Sequence, residues 1–170
     1  MSWIILLLFI SLISVAVASF SLIVWVPTRK RDLPRLLALA SLQQDESFID
    51  LGCGTGTVSH FIASKTKAAV TGIELALPFY FWCKLRQAAS RLKNLHYLWG
   101  SLFALDLGTF DVIYVFGIPD KLKDKLKPKL ERELKPGARV ISYAFAIEGW
   151  TPSRISKPDP GNVSIYVYVR

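Results

Sequence analysis

The spacing of apolar residues changes along the chain, and each spacing predicts a different element. Residues 2–26 are free of charge and dense in Ile, Leu, Val, Phe and Trp, and Pro27 closes the run. Leu33, Leu36, Leu37 and Leu39/Ala40 then fall on one side of a short amphipathic helix over residues 31–42. Pro34 lies in its first turn, where proline is tolerated. Beyond it, short apolar runs at residues 47–51, 68–74, 95–99, 110–116, 138–145 and 163–169 read as strands. The stretches at 57–65, 77–92 and 120–134 read as helices, the last broken near Pro128. Residues 156–162, with two prolines and a glycine, read as a hairpin loop. Strands alternating with helices predict an α/β fold with a mostly parallel sheet and a terminal antiparallel hairpin.

About 20 apolar residues span a bilayer, so residues 2–26 are expected to form a transmembrane anchor, with Trp3 and Trp25 near its two interfaces. A cleaved signal peptide is the rival reading, because Ala16-Val17-Ala18 resembles a cleavage site. Against it, no Lys or Arg precedes the run, and the run continues past that site. A buried core helix is a third reading. The basic residues Arg29, Lys30, Arg31 and Arg35 follow the run, so the positive-inside rule places the rest of the chain on the cytoplasmic side. The expected division is an anchor at 1–27 and one domain at 28–170.

The chain's chemistry centres on residues 48–56, Phe-Ile-Asp-Leu-Gly-Cys-Gly-Thr-Gly. A buried strand ending in Asp50 and followed by Gly52, Gly54 and Gly56 describes a sharp turn into a helix whose amide-rich end faces a ligand. Glu74 ends the second strand, where an acid accepts hydrogen bonds from ribose hydroxyls. Together they predict a nucleoside cofactor. A dinucleotide loop reads G-x-G-x-x-G, but here Thr57 holds the third glycine position and the glycine comes one residue early.

Asp-x-Gly-x-Gly-x-Gly resembles the first motif of class I S-adenosylmethionine (SAM) methyltransferases. The resemblance implies a Rossmann-like sandwich, with SAM as cofactor. It also implies Asp50, Gly52, Cys53, Gly54 and Gly56 near the methionine end of SAM and Glu74 on its ribose. Further stretches resemble a narrower group, the membrane-associated lysine methyltransferases of the ATP synthase c-subunit and the adenine nucleotide translocase. They are Val26-Pro27-Thr28, Val115-Phe116-Gly117-Ile118-Pro119, Leu130-Glu131-Arg132-Glu133-Leu134, Ala138-Arg139-Val140-Ile141 and Trp150-Thr151-Pro152. This narrower resemblance adds Thr28 to the cofactor-binding candidates. It implies methylation of a lysine amine on a membrane protein, with Phe116, Gly117, Ile118 and Pro119 forming the acceptor channel. Two positions depart from the family pattern. Thr55 replaces an Asp of the glycine loop, and Ser101 replaces the acid that meets the adenine.

Charge and cysteine content refine the expectation. The chain of 170 residues carries a formal net charge of +8. Residues 121–135 hold seven positive charges against three acids. Anionic lipid headgroups are the expected partner of this excess. Basic and aromatic residues do not interleave as in an RNA-binding motif, so nucleic acid is not expected. Cys53 and Cys83 read as small packing residues, and His60 and His96 lack metal-ligand spacing, so no metal is expected. Two other functions fit the same features: a small-molecule or lipid methyltransferase, and a degenerate, non-catalytic binding module.

Overall fold

The computed structural model describes residues 2–21 and 26–170. Five parallel strands form most of one sheet: β1 (Ser47–Leu51), β2 (Ala69–Glu74), β3 (Leu95–Trp99), β4 (Val112–Val115) and β5 (Arg139–Tyr143). A hairpin of β6 (Arg154–Ser156) and β7 (Ile165–Val169) completes it, with β7 antiparallel to both neighbours. The order is β3-β2-β1-β4-β5-β7-β6. The chain therefore reverses direction of travel across the sheet between β1 and β4, and a crevice opens there at the strands' carboxyl ends.

Alternation along the central strands separates two cores. Phe48 and Tyr114 face one side, where they pack with Leu36 of α2 (Leu33–Ala40), Val58 and Ile62 of α3 (Thr57–Lys65) and Cys83 of α4 (Leu77–Ser90). Ile49, Leu51, Ile113 and Val115 face the other side. There they meet Leu122 and Leu126 of a π-helical turn (Leu122–Leu126), which follows the short α5 (Pro119–Lys121), and Leu130 of α6 (Lys127–Glu133). Every residue of β4 is buried, as a strand covered on both faces requires. The π turn lies just before Pro128, which has no N–H to continue the α pattern; the Lys127 N–H reaches back to the Leu122 carbonyl instead. Two of the family-like stretches meet in space: Trp150 Nε1 donates to Glu131 Oε1 at 2.9 Å.

The N-terminal reading needs correcting. Residues 2–21 form helix α1 (Ser2–Ser21), but among the described residues no helix is long and apolar enough to cross a membrane. The physical reason is in its packing. α1 lies against α4, and mid-helix Ser14 Oγ accepts the Leu77 N–H at 3.2 Å, satisfying a backbone donor in the first turn of α4. Only the side of the helix at Ser14 is docked in this way, and Phe9 and Leu12 stay exposed. The expected continuation through residues 22–25, including Trp25, lies outside the described residues.

The segment leading into α2 is pinned to the sheet by two tyrosines. Tyr143 Oη of β5 donates to the buried Asp32 Oδ2 at 2.6 Å, and Arg35 Nη2 donates to Asp32 Oδ1 at 3.1 Å. Arg35 also donates to the carbonyls of Val163 and Ser156 and so ties α2 to the hairpin. Thr28 Oγ1 and Tyr114 Oη form the second pin, at 2.6 Å. Tyr143→Phe removes a hydrogen bond from a buried carboxylate and is expected to cost about 1–3 kcal/mol. Urea denaturation of the variant against the parent chain reads this directly.

Candidate active site

β1 and β2 deliver the two acids. Asp50 sits one residue before the end of β1 and is 3% exposed. Its Oδ2 accepts from both the backbone N–H (3.2 Å) and the hydroxyl (2.7 Å) of Ser59 in the first turn of α3. Burial pushes the Asp50 carboxyl up to about 7; the Ser59 bonds oppose this and the nearby Glu74 charge adds to it. Glu74, at the tip of β2, spans two loops: Oε2 accepts the Gly54 N–H at 2.8 Å and Oε1 the Ala76 N–H at 2.7 Å. Each of these oxygens keeps a lone pair for a ribose hydroxyl.

Gly52, Gly54 and Gly56 all take positive φ, of 72°, 54° and 69°. At Gly56 a side chain is excluded on a second count, because a Cβ would meet the Tyr97 ring and, at 3.0 Å, Cys83 Sγ. The loop is stitched to β2 by the Gly52 and Cys53 N–H groups, which both donate to the Ile73 carbonyl at 3.0 Å. Cys53 and Cys83 are buried beneath it. Their mutual hydrogen bond and burial push the Cys53 thiol well above its ordinary range, and Cys83 Sγ donates to the Gly54 carbonyl at 3.2 Å. This is the packing role expected of them, and a neutral buried thiol is a poor nucleophile.

A cleft opens over this loop. Asp50, Gly52, Cys53, Gly54 and Glu74 line it, with Thr28 opposite. Gly56 stands behind it as the left-handed residue that begins α3. Of the acceptor-channel candidates only Phe116 reaches the cleft; Gly117 is buried, and Ile118 and Pro119 lead away into α5. Ser101 is not on the cleft wall: its hydroxyl accepts the Phe103 N–H at 3.2 Å and caps a turn, while Gly100 and Leu102 face the cleft. Two wall residues that the sequence reading did not single out are Val15 and Tyr114. Tyr114 left one trace, as the single polar residue in a strand of Val and Ile.

The charge of this wall selects the cofactor. Among the described residues that line the cleft are two acids and no Lys or Arg. A pyrophosphate would find no countercharge there. SAM, with its sulfonium and ammonium, fits the acids, and Ile73, Leu75 and Leu102 give an apolar bed for its adenine.

A family model described as the ANTKMT methyltransferase domain matches residues 50–154. The chain belongs to this methyltransferase family. It is 34% identical over 155 residues to a protein-lysine N-methyltransferase of Saccharolobus islandicus (strain REY15A), covering 85% of this chain and 92% of that one. The Homo sapiens lysine N-methyltransferase of the ATP synthase c-subunit is 29% identical over 136 residues, 78% of this chain and 56% of the human protein. Among solved structures, an RNA methyltransferase from Salinibacter ruber in complex with S-adenosyl-L-homocysteine (SAH) superimposes with a TM-score of 0.78 at 28% identity, over 85% of this chain and 93% of that one. The chain is thus a SAM-dependent methyltransferase with a Rossmann-like fold. Among the described residues no group of three or more His, Cys, Asp or Glu could hold a metal ion.

Two outcomes are expected. Because Asp50 rises from 3.8 unfolded to about 7 folded, the native state holds its proton more tightly. The associated stability is complete below pH 4 and is lost as pH rises to 7, by on the order of 4 kcal/mol. Asp50→Asn removes that slope, and urea midpoints measured from pH 4 to 8 in both proteins isolate it. Glu74→Ala leaves the Gly54 and Ala76 N–H groups without their acceptor and is expected to weaken SAH binding about 100-fold or more by calorimetry. Glu74→Gln, which keeps one acceptor oxygen, falls in between.

Proposed function

We propose that this methyltransferase acts on the ε-amine of a lysine in a protein presented at a lipid surface. The observation that carries the reading is the polarity of the cleft's far end. Just past the end of β4 Phe116 lines the wall, Val26 and Pro27 line it beside Thr28, and the only acids among the described lining residues are Asp50 and Glu74 at the tips of β1 and β2. A lysine entering there is desolvated, which draws its pKa down from about 10.4 and favours the neutral amine that methyl transfer needs. The protein-lysine relatives at 34% and 29% identity support the same acceptor.

Asp50 and the glycine loop would hold the amino-acid end of SAM, Glu74 its ribose, and Ile73 and Leu102 its base. Bound there, SAM supplies a sulfonium methyl that the amine's lone pair takes while the sulfur leaves with the bonding electrons. The chain's own contribution is alignment and exclusion of water, by Phe116 and the segment at residues 26–28. The methylated ammonium gives its proton to solvent.

The lipid surface is supported by what α1 and α4 leave uncovered. Trp3, Ile4, Phe9 and Leu12 of α1 and Phe81, Trp82 and Leu85 of α4 are exposed, far more apolar surface than a freely dissolved monomer shows. Arg29, Lys30 and Arg31 are exposed just beyond α1 and suit anionic headgroups, at about 1 kcal/mol each. The contact is with one face of the membrane, on the cytoplasmic side where SAM is made.

The test is tritiated SAM added to the full-length protein with membranes of its own source organism. Label is then followed into protein, organic extract and RNA. A labelled protein band whose hydrolysate contains methyl-lysine is expected. Label in the organic extract would transfer the assignment to a lipid or other amphiphilic acceptor, and label in RNA to a nucleic-acid one.

A further inference from the structure

One polar point in the cleft is left over once the cofactor's needs are met. Asp50 is committed to Ser59 of α3 and Glu74 to the amides of Gly54 and Ala76, while Thr55 and Thr57 lie on the glycine loop and at the start of α3, 3.2 Å apart. What remains is the hydroxyl pair of Thr28 and Tyr114, 2.6 Å apart and both buried. Resting on the lysine reading above, we propose that the Tyr114 hydroxyl is the group that orients the acceptor amine, with Thr28 as the positioning residue that fixes that hydroxyl.

Register places Tyr114 where this requires. It pairs directly with Asp50 across β1 and β4, so its side chain rises on the same face of the sheet as the carboxylate beneath the cofactor loop. The ring stacks beside Phe48, with centroids 6.5 Å and planes 20° apart. Near the hydroxyl, Val26 and Pro27 beside Thr28 and Phe116 just beyond β4 line the cleft. None of these apolar side chains offers an entering amine a hydrogen bond, and the Tyr114–Thr28 hydroxyl pair does. Each hydroxyl offers one donor and two lone pairs, and the bond between them uses one donor and one lone pair. With Tyr114 donating to Thr28, the phenolic oxygen keeps lone pairs for an N–H of the neutral amine. An amine that donates one N–H to Tyr114 has its rotation set, and its lone pair turns away from the hydroxyl toward the methyl. The N–C bond then forms as the C–S bond breaks, its electrons stay on sulfur, and the ammonium's proton passes to water. Burial holds the Tyr114 hydroxyl in its neutral form, so it orients the amine and does not deprotonate it.

The experiment compares Tyr114→Phe, Thr28→Val and Thr28→Ser with the parent chain in the membrane-labelling assay at saturating SAM, with SAH affinity measured by calorimetry. Tyr114→Phe is expected to lower the labelling rate about 10–100-fold, with SAH affinity within about twofold of the parent. Thr28→Val is expected to show a smaller loss, and Thr28→Ser, which restores the hydroxyl, to recover it. Independently of turnover, n-butylamine added to SAH-saturated protein carrying 13Cζ-tyrosine is expected to shift one resonance, the one missing in Tyr114→Phe. Unchanged labelling by Tyr114→Phe overturns the proposal. So does a loss of SAH affinity that matches the loss of rate, or a butylamine titration that moves no tyrosine signal. If Tyr114→Phe does not fold, the Thr28→Val and Thr28→Ser pair decides in the same way. A parent chain that labels no protein would refute the lysine reading itself, whereas a labelling parent with an equally active Tyr114→Phe would refute only the role of Tyr114.

Discussion

The cofactor end of this protein depends on two carboxylates kept close together under one glycine loop. Neither is paired with a cation. Asp50 is held by the serine at the start of α3, and Glu74 by two backbone amides. Burial is what lifts the Asp50 carboxyl to about 7, and the Glu74 charge adds to it. The sulfonium and ammonium of SAM complement that arrangement, so the acids that burden the fold also suit its cofactor.

The acceptor end is built differently, from parts far apart in sequence. Tyr114 and Tyr143 stand on neighbouring parallel strands and reach the same N-terminal segment at Thr28 and Asp32. Phe116 stacks edge-on against Tyr143, with ring centroids 4.9 Å apart, so the wall of the acceptor end rests on one of the two pins. Arg35 extends the same network to the β6–β7 hairpin. Residues 26–28 of that segment are thereby pinned as a wall of the cleft. This rigidity is what alignment of an amine with a methyl group demands.

The sequence disclosed the cofactor half far better than the acceptor half. β1, α3 and β3 end where the apolar runs and the glycines place them, because local rules govern those ends. Asp50, Gly54 and Glu74 were legible because a turn into a helix and an acid at a strand tip are short-range patterns. Phe116 reached the cleft while Gly117, Ile118 and Pro119 did not, because the chain turns at once into α5. Ser101 sits next to the cleft in sequence, yet its hydroxyl is spent on a turn. Tyr114 was invisible as a site residue for the opposite reason: its partner lies 86 residues away. No periodicity encodes a contact of that separation.

Helix α1 marks the limit of reading hydrophobicity by itself. Residues 2–21 carry no charge, yet among the described residues no helix is long and apolar enough to cross a membrane, and apolarity states only that a helix must be covered, not by what. Here α4 covers part of it, and Ser14 replaces a missing turn of that helix as acceptor for the Leu77 N–H. The next residue, Val15, lines the cleft. Whatever binds the outer face of α1 thus acts on a helix that also forms part of the active-site wall.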